Sequence, residues 1–336
     1  MKHVRPRTVL AALAVTVALA LSGCSASSSA APAASAPASA GAEDASWPRT
    51  VTHEQGELTL DAAPQRIVST TPSVTGTLLA IGAPVVASAA TAPGTAVADE
   101  DGFFRQWGDV ARERGVEVLY PNLELDLEAI ISAEPDLVVV STSGADSVLD
   151  QYEQIAELFP TVVVNYSDKS WQDLATDLGE ITGHEDGAAD AIADFDAYVA
   201  EAADSLTVPD GPVSVVSYNG PTDDSAVAKE TSPWAGILGD LGLEVVGAPD
   251  ALDTSEQVRQ DVAWVSFENL TAAITGTQVW LLSGTPDDVA ELTAEPTLQN
   301  LEAVTTGQVF DLGPTSFRLD YYSATALVDT VVGHLG

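Results

Sequence analysis

Short runs of branched apolar residues alternate with helix-patterned segments along most of the chain, and this alternation limits the fold more than any other feature. The pattern predicts strands at 66–70, 85–88, 116–120, 136–141 and 162–165, with helical spacing over 72–81, 127–133 and 147–158. From about Trp171 the pattern changes. The stretch 187–206 holds no proline and no internal glycine, and Ile192, Phe195, Val199 and Ala202 recur on one helical face. Pro209 and Gly211 terminate it. Alternation then resumes, with strands expected at 213–218, 244–246, 279–282 and 308–312 and a closing helix over 319–332. Strand-helix alternation of this kind argues for parallel α/β sheets. Leu127-Glu128 leads through an apolar run to Ser143-Gly144, and Phe267-Glu268 leads likewise to Ser283-Gly284, with sixteen residues from glutamate to glycine in both. The expectation is an α/β protein of two Rossmann-like lobes, 47–170 and 208–336, joined through a helical segment, 171–207, that contains a single long helix.

Charge narrows the function. Against 50 Asp and Glu there are 12 Lys and Arg, for a net charge of -38 over 336 residues. Lys2, Arg5 and Arg7 account for three of the twelve. A nucleic-acid partner requires cations that displace phosphate counterions, so that class is excluded. Electrostatic docking on anionic lipid is excluded by the same count.

The amino terminus reads as an address. A basic start is followed by an apolar run over 9–21, too short to cross a bilayer comfortably and typical of a signal peptide. It ends in Leu21-Ser22-Gly23-Cys24, which resembles the bacterial lipobox, and Cys24 is the one cysteine in the chain. Residues 1–24 are therefore expected to be a lipoprotein signal peptide, with Cys24 carrying lipid after cleavage. Residues 25–46 are almost entirely Ala, Ser and Pro, a tether that cannot bury apolar surface. With one cysteine, neither a disulfide framework nor a thiol catalyst is expected beyond it.

Ligands of open parallel sheets bind beyond the carboxyl ends of the strands. Three of the nine remaining cations fall in predicted strand-exit loops: Arg105, near Phe103, Phe104 and Trp107; Lys229; and Arg318, between Phe317 and Tyr321-Tyr322. Arginine offers a planar fork for anionic oxygens and stacks on rings, so this set suggests a pocket for an aromatic anion. The competing reading pairs Arg105 with Asp109, Lys229 with Glu230 and Arg318 with Asp320 as exposed ion pairs. Arg66 begins a strand, Arg112 and Arg114 sit in a charged helical patch, Lys169 precedes a helix, and Arg49 and Arg259 have no distinguishing context. Serine-hydrolase elbow, phosphate loop and zinc-protease motifs are missing from the sequence, and His53, His184 and His334 are isolated.

The same loops carry a resemblance. Trp47-Pro48-Arg49, RIVST at 66–70, TGTLLAIGAPVVAS at 75–88, VADEDGFFRQW at 97–107, NYSDKSWQDLATDLGEITGHE at 165–185 and FRLDYYSA at 317–324 resemble the ferric-enterobactin-binding proteins of bacterial ABC iron-siderophore importers. The segment from Glu295-Pro296 to Val309-Phe310 resembles the broader siderophore- and cobalamin-binding group. The resemblance implies two lobes with a rigid connecting helix, ligand held between them, and no catalysis. The implied cargo is a ferric catecholate siderophore whose iron is already ligated, so no cofactor and no metal ligand from the protein are expected. Phe317 and Arg318 match the family's binding pair in the second lobe, and with the strand-exit cations and nearby aromatics the expected ligand contacts are Arg105, Lys229, Phe317, Arg318, Trp107, Tyr322 and Trp234. Glu128 and Glu268 match the lobe-tip glutamates that dock on the permease, and their competing reading is an ordinary first-turn carboxylate favoured by the helix dipole. Partners would be the ferric siderophore, an ABC permease dimer and its ATPase, and the membrane through the amino-terminal lipid alone. The body would be an extracytoplasmic monomer. Two departures stand out: Ala96 occupies the place of a family arginine, and 226–230 holds no clear counterpart of a family tryptophan, Trp234 coming later. Lys229 is then a candidate to restore the lost charge. Haem or cobalamin as cargo, a surface hydrolase with paired carboxylates and a structural lipoprotein are the alternatives.

Overall fold

In the computed structural model, residues 47–255 and 259–336 are described, and the lipobox cysteine and tether lie outside them. A hairpin of β1 (Arg49–His53) and β2 (Gly56–Leu60) opens the described chain and buries Val51 and Leu60. There follow β3 (Ile67–Ser69), α1 (Pro72–Ala80), β4 (Val85–Ser88), α2 (Arg105–Glu113), β5 (Glu117–Val118), α3 (Leu127–Ser132), β6 (Leu137–Ser141), α4 (Tyr152–Ala156) and β7 (Thr161–Val164). Strands β3 to β7 form a sheet of order β5-β4-β3-β6-β7, parallel throughout. Every residue of β3, β6 and β7 is buried, as a sheet covered on both faces requires. Alternate side chains divide between the faces. Ile67, Leu137, Val139, Val162 and Val164 enter one core, while Val68, Val138, Val140 and Val163 enter the other.

Two helices then cross to the second lobe. α5 (Trp171–Thr182) starts on a capping box of Ser170 and Asp173 and ends on Gly183 in the left-handed conformation. α6 (Glu185–Ser205) is the long helix expected from the sequence, and it starts two residues early, with Gly187 inside it. A Cβ at Gly187 would lie 2.1 Å from the Ile81 carbonyl oxygen, so glycine is what allows α6 to close on the end of α1. Ala188, Ala191, Phe195, Val199 and Ala202 form its buried stripe.

The second lobe comprises β8 (Val213–Ser217), β9 (Ser225–Ala228), α7 (Pro233–Asp240), β10 (Val262–Val265), α8 (Phe267–Ala273), β11 (Gln278–Leu281), α9 (Pro286–Ala294), α10 (Glu302–Thr306), β12 (Val309–Asp311) and α11 (Tyr321–Leu335). Its sheet has the order β10-β9-β8-β11-β12, with β8, β11 and β12 parallel and β9 antiparallel to both neighbours. The strand expected at 244–246 reduces to one bridge between Val213 and Val245, and β9 lies along β8 instead. Glu128 and Glu268 occupy the second position of α3 and α8, ahead of β6 and β11, which hold the same fourth place in the two sheet orders. α11 packs on α6 and also on α1 and α2, so the last helix of the chain is shared by both lobes.

A cation-lined cleft between the lobes

A cavity of about 310 Å³ opens between the two sheets. From the first lobe it takes Ser143 and Gly144 after β6, Tyr166 and Lys169 after β7, and Trp171 at the head of α5. From the second it takes Trp234 at the head of α7, Arg259 and Asp261 just before β10, and Phe317 and Arg318 after β12. The first-lobe loops and the Phe317-Arg318 loop obey the carboxyl-end rule for parallel strands. A smaller hollow of about 80 Å³, walled by Val97, Phe104, Gln106 and Pro314, lies against the same Phe317-Arg318 pair.

The arginines differ in what holds them. Arg49 is bonded to Glu180 and Glu185, Arg66 to the carbonyls of Ala133 and Glu134, Arg105 to that of Thr95, and Arg114 to that of Leu79. Arg112 pairs with Asp99, Asp101 and Asp109, and Arg259 clamps Asp261 through Nε at 2.8 Å and a terminal nitrogen at 2.6 Å. Arg318 alone has a guanidinium with neither an ion pair nor a hydrogen bond among the described residues. It lies 5.5 Å over the ring of Phe104, held by a cation-π contact from the opposite lobe. The expected competing pair with Asp320 does not form, because Asp320 caps α11 and is buried.

Aromatic surface surrounds this cation. Trp234 packs on Phe317 at 5.7 Å between ring centroids and donates its indole N–H to the Ser316 carbonyl at 2.7 Å, which fixes the ring. Tyr166 donates to the buried carboxylate of Asp146 at 3.0 Å. Burial, reinforced by Asp146, pushes its hydroxyl up to about 12, while Arg318 pulls the other way. Trp171 is buried with its indole N–H unpartnered. Lys169 pairs with Asp177 at 2.7 Å at the rim. The arrangement suits an anion with flat, apolar faces.

A second concavity, about 560 Å³, lies within the first lobe between the hairpin, β7 and α5. His53, Glu54, Asp177 and Glu180 line it, and burial holds His53 below the ordinary histidine range. The Glu54, Asp177 and Glu180 carboxylates disfavour an anion there, Lys169, which also lines the groove, is already paired with Asp177, and no Phe, Tyr or Trp lines it among the described residues. The groove is not the counterpart of the cleft.

The structure brings together only part of the sequence-derived set. Phe317, Arg318 and Trp234 line the cleft. Trp107 does not: it is fully buried, packed at 5.2 Å on Phe103 and 6.0 Å on Phe104, and belongs to the core. Arg105 begins α2 rather than sitting in a loop, and its guanidinium is tied to Thr95 outside the cleft lining. It does not pair with Asp109, which Arg112 takes. Tyr322 lies in the first turn of α11 against Tyr321 and does not line the cleft. Lys229 follows β9, not β8. Because β9 runs back along the sheet, it carries Lys229 away from the strand exit assumed for it. Sequence reasoning missed Arg259, Lys169 and Tyr166 as lining residues, and Phe104 as the ring beneath Arg318. Glu128 and Glu268 are exposed at the starts of α3 and α8.

Comparisons with known proteins agree with this architecture. A family described as Periplasmic binding protein matches residues 67–315. The Ferric enterobactin-binding periplasmic protein FepB of Escherichia coli O6:H1 is 42% identical over 292 residues, which is 86% of this chain and 92% of that protein. The crystal structure of holo-ViuP superposes with a TM-score of 0.80 at 37% identity, covering 87% of this chain and 96% of that one. Staphylococcus aureus SirA complexed with staphyloferrin B gives a TM-score of 0.66 at 18% identity over 86% of this chain and 99% of its own, a likeness of fold. With the family matched from the first strand of one sheet to beyond the last strand of the other, the chain belongs to the periplasmic binding protein family.

Proposed function

We propose that this protein is the binding component of an ABC importer that captures a ferric catecholate siderophore outside the cell membrane. The observation that carries the reading is Arg318, an arginine whose guanidinium has no polar partner among the described residues, lining a cleft between two lobes of a protein with a net charge of -38. Where carboxylates outnumber cations about four to one, a guanidinium left without a carboxylate is reserved for an anion from outside. Arg259 and Lys169 add positive charge, and Trp234, Phe317 and Tyr166 supply faces and an edge for catechol rings. Iron would arrive already chelated, so the protein contributes charge and stacking and no metal ligand, and no reaction is catalysed. The 42% identity to a protein named for ferric enterobactin supports the catecholate class.

Delivery would use Glu128 and Glu268, the exposed carboxylates at the starts of matching helices, against cationic groups on the two halves of a permease dimer driven by its ATPase. Lipid on Cys24 would hold the monomer at the membrane. Titration with ferric enterobactin, followed by tryptophan fluorescence, tests the reading. The expected result is saturable quenching with no chemical change in the ligand. Saturation by haem, cobalamin or a ferric hydroxamate in its place, or turnover of the ligand, would overturn it.

A further inference from the structure

Lys229 is the sequence's candidate for a charge that meets cargo, yet its ammonium faces protein. Nζ donates to Asp253 Oδ2 at 3.1 Å and to the carbonyl oxygen of Arg259 at 2.8 Å. The pair with Asp253 is largely shielded, with side-chain exposures of 20% and 9%, so the lysine charge is already met. The backbone N–H of Lys229 donates to the Asp261 carbonyl at 2.8 Å, and the Asp261 carboxylate clamps the Arg259 guanidinium from two sides. Three residues thus close a ring of contacts. Lysine backbone holds aspartate backbone, aspartate side chain holds arginine side chain, and arginine carbonyl returns to lysine ammonium. Within this ring, Arg259 and Asp261 line the cleft and Lys229 does not.

We propose that Lys229 is a positioning residue that sets how Arg259 enters the cleft, acting on cargo only through Arg259. The side chain suits the task. An ammonium is a compact charge with three donors, able to serve a carboxylate and a carbonyl together. Arg259 precedes β10 with its guanidinium partly exposed, so its direction depends on the carbonyl and carboxylate contacts that bracket it. The inference rests on the cleft being the anion site.

A double-mutant cycle tests it, with ferric enterobactin as probe and fluorescence quenching as readout. The variants are Lys229→Met, which keeps the aliphatic stem, Arg259→Ala, and the two combined. Loss of a hydrogen-bonded charge contact predicts that Lys229→Met weakens binding about tenfold. Arg259→Ala should weaken it at least as much, and the double variant should bind no more weakly than Arg259→Ala alone. Two effects that multiply would mean that Lys229 touches cargo directly, and unchanged affinity in Lys229→Met would mean that it does not position Arg259. Either result overturns the proposal. Lys229→Gln, which retains one donor group, carries the same non-additivity test should the Met variant fail to fold. Absence of saturable binding by the wild-type protein would instead overturn the cargo reading, and this inference with it.

Discussion

Arg318, Arg259 and Lys169 present three degrees of neutralisation in one cleft. Lys169 is paired to Asp177, Arg259 is clamped by Asp261, and Arg318 rests on Phe104 without a carboxylate. A free guanidinium gives the most to an incoming anion, since no internal bond must break first. Arg318→Ala should therefore weaken ferric-enterobactin binding by about 2 kcal/mol, roughly thirtyfold, in a fluorescence titration. Its thermal midpoint should move little, because the guanidinium gives up one cation-π contact, with Phe104, and no ion pair or hydrogen bond among the described residues. Arg318→Lys should restore only part, since an ammonium lacks the planar face that stacks on Phe104 and reaches two oxygens at once. This residue could be read from its neighbours in the chain, Phe317 before it and two tyrosines after. Arg259 could not, because its place depends on a strand pairing, β9 with β10, that brings Asp261 to Lys229. Trp107 shows the reverse error. Three aromatics within five residues cannot be assigned to cleft or core until the inward face of α2 is known.

The element that joins Arg318 to the fold is the start of α11. Asp320 caps it by accepting from the Ser323 N–H at 2.9 Å, and the Ser323 hydroxyl donates to the Arg318 carbonyl at 2.8 Å. The carboxylate is buried at the seam between lobes, 3% exposed, where Gln106 of α2 reaches it at 3.4 Å. A Cβ on Gly76 of α1 would come within 2.2 Å of its Oδ2, so glycine at this crossing permits the burial. Burial raises the Asp320 carboxyl to about 6, against opposing hydrogen bonds from Ser323, Gln106 and Tyr322. The folded state then binds this proton more tightly than the unfolded chain does. The associated stability is fully present below about pH 4 and is lost as pH rises through about 6, a change of about 3 kcal/mol. Asp320→Asn keeps a capping oxygen and removes the titration. The difference in unfolding free energy, wild type minus variant, should fall by about that amount between pH 4 and pH 7 in denaturant titrations. A constant difference would contradict the assignment. Elements built on branched runs, such as β6 and β7, were readable before the fold was known. β9 was not, because Ser-Ala-Val-Ala is small and only one residue is branched. The β1-β2 hairpin was not either, since each of its strands buries a single side chain.

Across the whole molecule, α6 and α11 are packed by both lobes, so the cleft closes against a shared spine rather than around a free linker. Carboxylates far outnumber cations in the chain, yet three cations, Lys169, Arg259 and Arg318, line the hollow, which makes it attractive to an anion. The two-lobe architecture was open to sequence reasoning because strand-helix periodicity is a local property. Which cations share the hollow was not, because that depends on the antiparallel return of β9. The most direct test is the position of iron in crystals of the protein grown with ferric enterobactin, located by anomalous scattering at the iron edge. The metal is expected in the cleft, flanked by Arg318 and Trp234 from one lobe and Tyr166 from the other. Iron in the first-lobe groove beside His53, or on an outer face, would contradict it.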